Sequence, residues 1–349
     1  MRGALPFALL CAIRASAAAQ GTPVTFEEQE PVTITGFAVG RVDYDRLARS
    51  NTFTAGKLAL SLFKPVGDAY VFGQLTSALA GGETTVEIDN LLFSWTPHTA
   101  NRWTVAFGKF DAPIGFERDD EPLNFLPTNS FNFSFARPAK LTGIAVQYTV
   151  SPQVSLWGMA ANGWNQDADN NRGKTGLVRA EILPTPGFSL GITGVYGPER
   201  DSTDAFQRSL LSADATLERG RLILGAEVNL GREQAAAPAP TWRGGSVTAF
   251  VRLSSSVGVA ARYDQLEDRG GALTGTSQIL RSFTVGPMWH VSSAKEGVFS
   301  NIEHTSFHLP QIALRAALRV DRSTQAFFPG ATGSGRSDTK GVLELFYVF

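Results

Sequence analysis

Three features of the sequence predict an all-β fold, a transmembrane antiparallel β-barrel of about sixteen strands with short periplasmic turns and longer outer loops. Apolar and polar residues alternate with period two from Val32 to the end of the chain. The connections between these runs are short and long by turns, and the last run closes on an aromatic residue, Phe349. Strict alternation puts every second side chain on one face, so one face can meet lipid while the other meets water.

The N-terminus reads as a removable signal peptide, expected over residues 1–19, ahead of a short periplasmic segment, 20–31, and the barrel, 32–349. Arg2 supplies the positive end, 4–13 the apolar core, and Ala15, Ala17, Ala18 and Ala19 the small residues before a cut. The apolar stretch, broken early by Arg14, is shorter than the roughly 20 residues a spanning helix takes. Cys11 follows Leu10, where a lipidation signal needs a small residue. It is also the one cysteine, so the mature part is expected to lack disulfides, thiolate metal sites and Cys nucleophiles. That suits a protein crossing an oxidising periplasm unfolded. Lys and Arg (31) balance Asp and Glu (32), so no basic field marks a nucleic-acid partner. A mean hydropathy of −0.04 excludes an all-helical membrane protein but not a barrel, whose strands are apolar on one face only.

In order along the chain, strands are expected at 32–45, 52–63, 68–79, 83–96, 102–110, 140–150, 153–163, 173–184, 186–197, 207–219, 221–232, 243–254, 256–268, 278–292, 310–322 and 338–349. The clearest is 311–321, where Ile312, Leu314, Ala316, Leu318 and Val320 oppose Ala313, Arg315, Ala317, Arg319 and Asp321. An even strand number is what single-chain bacterial barrels use, and about 330 residues over sixteen strands leaves roughly 20 for each strand with its connection. Tight connections include Lys64-Pro65-Val66-Gly67, Ser151-Pro152 and Glu218-Arg219-Gly220. Longer polar ones are expected at 45–51, 111–138, 165–172, 198–206, 232–242, 268–276 and 325–337. The connection 293–310 breaks the pattern, being too long for a periplasmic turn. In the final strand, Leu343, Leu345, Tyr347 and Phe349 alternate with Val342, Glu344, Phe346 and Val348. This resembles the C-terminal signal read by the outer-membrane insertion machinery, and its aromatics suit an interfacial girdle.

The loop 111–138 carries Asp111, Glu117, Arg118, Asp119, Asp120 and Glu121. Folded into the lumen, such a cluster sets the electric field of a pore constriction; left outside, it is a solvated loop. Here the chain resembles the Putative β-barrel porin-2 (OmpL-like) family. The likeness rests on Gly108-Lys109-Phe110, Pro113 and Gly115-Phe116-Glu117. It continues through Asn124, Ser130, Phe133-Ser134-Phe135, Pro138, Leu141-Thr142-Gly143 and Tyr148. It resumes at Asn162-Gly163-Trp164-Asn165 and Asp169-Asn170-Asn171, and so covers about 105–200. Phe116 departs from the tyrosine of the family pattern and Leu141 from its histidine. The resemblance implies a porin-like barrel and names no substrate.

Other constellations carry less. The loop 167–173 alternates oxygen side chains, but Arg172 and Val178 stand where a calcium loop needs glycine and glutamate, so an Asx-rich turn is expected. His304 and His308 are four apart without a third ligand or a general-base Glu at the right spacing. No spacing selects a Ser–His pair either, and the expectation is no enzyme, no cofactor and no metal. Alternation turns Arg41, Lys57, Arg179, Arg252, Arg262, Arg315, Arg319 and Lys340 inward, with Asp43, Glu87, Asp89, Glu181, Asp214, Glu227, Asp264 and Glu344. On the lipid side at mid-membrane an Arg or Lys would cost about 2–4 kcal/mol. The near balance of sign argues against an anion funnel and for opposite charges bracing neighbouring strands.

The sequence therefore predicts an outer-membrane channel for passive diffusion of small polar solutes or ions, constricted by 111–138. The rival expectation is a plugged barrel with a structural, adhesive or anchoring role. Expected partners are outer-membrane lipid, the insertion machinery and small polar solutes. A homo-oligomer would need a flat apolar patch on the outer face.

Overall fold

A computed structural model describes residues 31–80, 83–234, 239–292 and 305–349. The expected leader lies outside the described residues. The strands are β1 (Thr33–Asp45), β2 (Ser50–Thr54), β3 (Lys57–Val66), β4 (Ala69–Ala80), β5 (Glu83–Trp95) and β6 (Trp103–Asp111). Next come β7 (Lys140–Ser151), β8 (Val154–Ala161), β9 (Thr175–Thr185), β10 (Phe188–Arg200), β11 (Thr203–Arg219) and β12 (Leu222–Glu233). The last are β13 (Thr241–Arg252), β14 (Val257–Arg269), β15 (Gln278–His290), β16 (Ile312–Ser323) and β17 (Ser337–Val348).

Apart from β2 and β3, each strand pairs antiparallel with its sequence neighbours, and β1 pairs with β17 from Phe37↔Val348 to Asp45↔Lys340. The sheet is closed. Segments β2 and β3 both pair along the same edge of β1, so they form one wall strand interrupted at Ala55-Gly56, and the barrel has sixteen staves. The break is physical: Gly56 has φ +64°, and a Cβ there would sit 2.4 Å from the Val39 carbonyl oxygen. The seam closes at the chain end, where Phe349 and Gly36 exchange backbone hydrogen bonds of 3.0 and 3.2 Å.

The outward face is apolar, with Leu156, Val178, Ile192, Leu211, Val247 and Phe283 all exposed. Leu343, Leu345, Tyr347 and Phe349 share that face, and Trp95, Trp103 and Trp289 lie outward at the end that holds the short turns. Among the described residues no helix is long and apolar enough to cross a membrane.

Two expectations about connections change. The run 198–206 is no long loop: β10 and β11 pair down to Arg200↔Thr203, leaving a two-residue turn with Ser202 at φ +62°. Its polar residues belong to strands that extend beyond the apolar belt into water. The anomalous connection 293–310 is described only from Thr305, and that part turns back into the barrel, with Phe307 and Leu309 buried.

The inside holds a packed core. One apolar cluster gathers Ile114, Phe131, Leu141, Trp164, Trp242, Leu280 and Phe328; a second gathers Phe37, Phe125, Phe250, Phe307 and Phe346. Both mix wall residues with residues of the segment between β6 and β7.

Candidate functional site: the segment inside the lumen

The segment joining β6 to β7 folds inward, as its burial shows: Ala112, Ile114, Glu117, Asp120, Phe125, Leu126, Ser130, Asn132 and Arg137 are all buried. It reaches opposite walls. On one side the Gly115 and Phe116 amides donate to Asp214 (3.3 Å, β11) and Glu227 (3.1 Å, β12). On the other, Lys57 of β3 pairs with Asp119 at 3.5 Å and Glu121 at 3.7 Å, and Gln74 of β4 donates to Asp120 at 3.2 Å. In the ring of staves β3 and β11 lie eight places apart, so 115–121 bridges the lumen.

From there the segment is held by wall arginines. Arg315 donates to the carbonyl oxygens of Glu121 (3.1 Å) and Asn124, and its other face pairs with Glu344. Arg319 donates to Asn129 O at 2.5 Å, and Arg262 to Thr128 O. Ser130 caps the short helix α1 (Phe131–Phe135), its Oγ accepting from the Phe133 amide at 2.9 Å. Glu117 accepts from the Ser130 amide (3.0 Å) and pairs with Arg262 at 2.6 Å, while Asp264 accepts from the Phe131 amide at 2.8 Å. Arg137 closes the segment, pairing with Glu227 at 2.9 Å and donating to Glu117 O at 2.8 Å. A loop with this many backbone groups inside needs them satisfied, and wall charges spaced two apart on the inner face supply the partners.

Close approach also needs small wall residues. A Cβ at Gly225 would fall 2.3 Å from the Phe116 ring. Phe116 therefore packs onto β12 at Gly225.

The six acid and base positions singled out on this segment divide. Glu117 and Asp120 are buried and bonded; Asp111, Asp119, Glu121 and Arg118 keep access to water. Lys140 Nζ sits among Asp89 (2.8 Å), Asp111 and Asp119 (3.4 Å). These three carboxylates form the one acidic cluster compact enough for a metal ion among the described residues, and the ammonium already occupies its centre. Burial opposes ionisation of Asp119, but Lys57 and Lys140 hold its carboxyl below the usual range. Burial lifts Glu121 despite Lys57. Burial, with the nearby Asp111 charge, pushes Asp120 up to about 7.

Charged side chains of the wall pair with one another. Arg41 pairs with Asp43 (2.9 Å) and Glu344 (3.8 Å), and Arg179 with Asp214 (2.6 Å) and Glu181 (3.2 Å). Arg252 pairs with Glu218, and Lys340 with Asp45 (3.5 Å) and Asp338 (3.3 Å). Glu87 is in register with the buried Thr76 and lies between the outward Val86 and Ile88, so it too faces in. A bulge between Gln74 and Leu75 in the β4–β5 ladder lets both Asp89 and Asn90 point inward. Asn90 then donates to Gln74 at 2.8 Å, which donates in turn to Asp120.

Sequence reasoning missed three groups. The aromatic stack beneath the segment is one: Phe125 lies 4.2 Å from Phe250 and 5.1 Å from Phe307, which also meets Phe250 at 5.2 Å. The outer cover is another, with Phe328 stacked on Phe131 and Phe327 edge-on to Phe135. The third is Trp242, which donates to Ala136 O at 3.0 Å. The hint available was the number of phenylalanines in places where alternation turns them inward.

A closed sixteen-stave barrel with a long segment folded inside and a charged inner wall defines the class of outer-membrane porin folds. The chain belongs to the family "Putative beta-barrel porin-2, OmpL-like", whose model matches residues 49–349, well beyond the stretch that carried the resemblance. Among solved structures it is similar to the anion-selective porin from Comamonas acidovorans, at 12% identity over 91% of this chain and 99% of that one, with a TM-score of 0.66. It is also similar to the outer membrane channel DcaP of Acinetobacter baumannii (12%, 91% and 97%, TM-score 0.63). A third is OmpT, expressed in the outer membrane of Vibrio cholerae (11%, 91% and 97%, TM-score 0.63). At such identities the likeness is one of fold. No curated protein matches the chain.

Proposed function

We propose that this protein is an outer-membrane channel for passive diffusion of small polar solutes or ions, with 112–139 as its constriction. It reaches the membrane by way of the leader at 1–19 and is inserted through its final strand, Leu343–Phe349 by position. The carrying observation is the lumen-crossing segment whose water-accessible acids, Asp119 and Glu121, face Lys57 and Lys140. Solutes pass between fixed charges of both signs, an arrangement that admits polar molecules and grades ions by local field. The channel and porin named among the fold neighbours support the same reading. Because the lumen charges are paired with one another, selectivity is weak and set by the few acids that touch water.

Planar-bilayer recording of the refolded protein tests this. Stepwise conductance is expected, and D119N/E121Q moves the reversal potential in a salt gradient toward anions. Charge-neutral behaviour of that variant would take the acids out of the pathway. A second reading, a plugged barrel, is favoured by the bridging of opposite walls and by Phe307 packed below. It predicts no conductance in the wild type and channels only after 116–136 is excised.

A further inference from the structure

We propose that the outward face of β12–β16, at the end carrying the long loops, holds one phosphorylated lipid of the outer leaflet, its acyl chain in a groove and its phosphate on arginines. The inference rests on the outer-membrane reading but not on conduction.

The register of the outer wall shows the change of chemistry. One outward row runs Ala226, Val247, Tyr263, Phe283, Val320, and is apolar apart from the tyrosine hydroxyl. The next row toward the loops runs Val228, Gly245, Gln265, Arg281, Arg322. Beyond it lie Arg243, paired in register with Leu230 and Glu267, and then Arg232. Within one row the face turns from apolar to basic, which is where hydrocarbon gives way to headgroups.

Among the described residues none of these arginines forms an ion pair, and the one acid opposite them in the ladder, Glu267 across from Arg243, pairs elsewhere. Arg281 and Arg322 stand directly opposite each other, a like-charge pair that costs stability unless an anion joins it. Arg281 donates only to the neutral Gln265 oxygen, at 2.8 Å. Glu267 is taken by Arg269 at 2.6 Å. Arg232, Arg243 and Arg322 are exposed and have no acidic partner among the described residues. Guanidinium groups in such a set bind phosphate oxygens in pairs.

A groove of about 490 Å³ lies beside Arg243, between β12 and β14. Its walls are Val228, Leu230, Val247 and Tyr263; its floor opens because Gly245 has no side chain; Arg243 stands at its outer end. An acyl chain in the groove carries its headgroup to the arginines. A free phosphate would use the arginines without the groove.

The test uses the full-length chain refolded and placed in phosphatidylcholine nanodiscs containing either bisphosphorylated lipid A or the same lipid with its phosphates removed. Native mass spectrometry counts the lipid that stays bound. The wild type is expected to keep the phosphorylated lipid on the order of tenfold better, since each basic residue near an anionic lipid surface adds to binding. R243A/R281A/R322A should abolish that preference. G245L should weaken retention of the phosphorylated lipid, because its Cβ has room, the nearest atom being Glu227 O at 3.7 Å, and its side chain fills the groove. Equal retention by wild type and triple variant overturns the proposal. So does displacement by inorganic phosphate that is indifferent to G245L, which marks a free-phosphate site. Lipid-independent self-association lost in the triple variant also overturns it, assigning the face to a second copy. Heat-shifted gel mobility shows that each variant is folded, and wild-type conductance reports separately on the channel.

Discussion

At the scale of single residues, the lumen is a place where burial and charge compete. Asp120 is the clearest case, its carboxyl raised to about 7 by burial and by Asp111. The unfolded chain releases that proton near pH 4, as an ordinary Asp does. Between about pH 4 and 7 the folded protein binds one proton more than the unfolded, so this residue's contribution to stability falls through that window and is flat above it. D120N is expected to be more stable than the wild type above pH 7 and alike below pH 4, measured by denaturant titration in detergent. Glu117 and Arg262 show the other outcome, a desolvated pair tied into two further bonds each. Removing one partner strands the other, and R262A should cost roughly 3–5 kcal/mol.

At the scale of elements, the inner segment and the connection entering from the other end meet through aromatics. Phe307 is buried against Phe125, Phe250 and His290, and Arg252 lies 5.9 Å from its ring. F307A should cost about 3–5 kcal/mol by leaving a cavity, and should raise single-channel conductance by widening the turn-side mouth. Unchanged conductance with lowered stability would make Phe307 a packing residue alone. The wall is shaped to the segment as well. G225L would drive Phe116 off β12, and its expected signature is a new protease cut within 112–139 while the barrel stays heat-modifiable. The strands themselves were legible in the sequence because a period of two is enforced by lipid on one side and water on the other. The 198–206 run misled for the same reason: beyond the apolar belt that enforcement stops, and strand and loop share one composition.

At the scale of the whole molecule, the barrel is a wall of strands around two packed clusters. One packed cluster draws on β12 to β17, β1 and β3 with the inner segment and Phe307, and the other on β7 to β11 and β13 to β15 with the inner segment. The fold predicts a β-rich circular dichroism spectrum and a gel mobility that shifts on boiling. It also predicts that a chain lacking Phe349 inserts poorly, since that residue closes the seam with Gly36. Normal assembly of that truncation would remove the insertion role from the final aromatic.

Local periodicity was enough to determine the barrel and its number of staves. Both depend only on residues a few positions apart facing lipid or water. The destination of 112–139 depended on closure. Glu117 meets Arg262, Gly115 meets Asp214 and Phe125 meets Phe307 only once the β1–β17 seam brings distant staves around one space. No periodic pattern encodes such pairings, because the groups involved lie about a hundred or more residues apart on the chain and satisfy one another only in three dimensions. The sequence by itself made the wall of this protein, and tertiary structure alone decided what fills it.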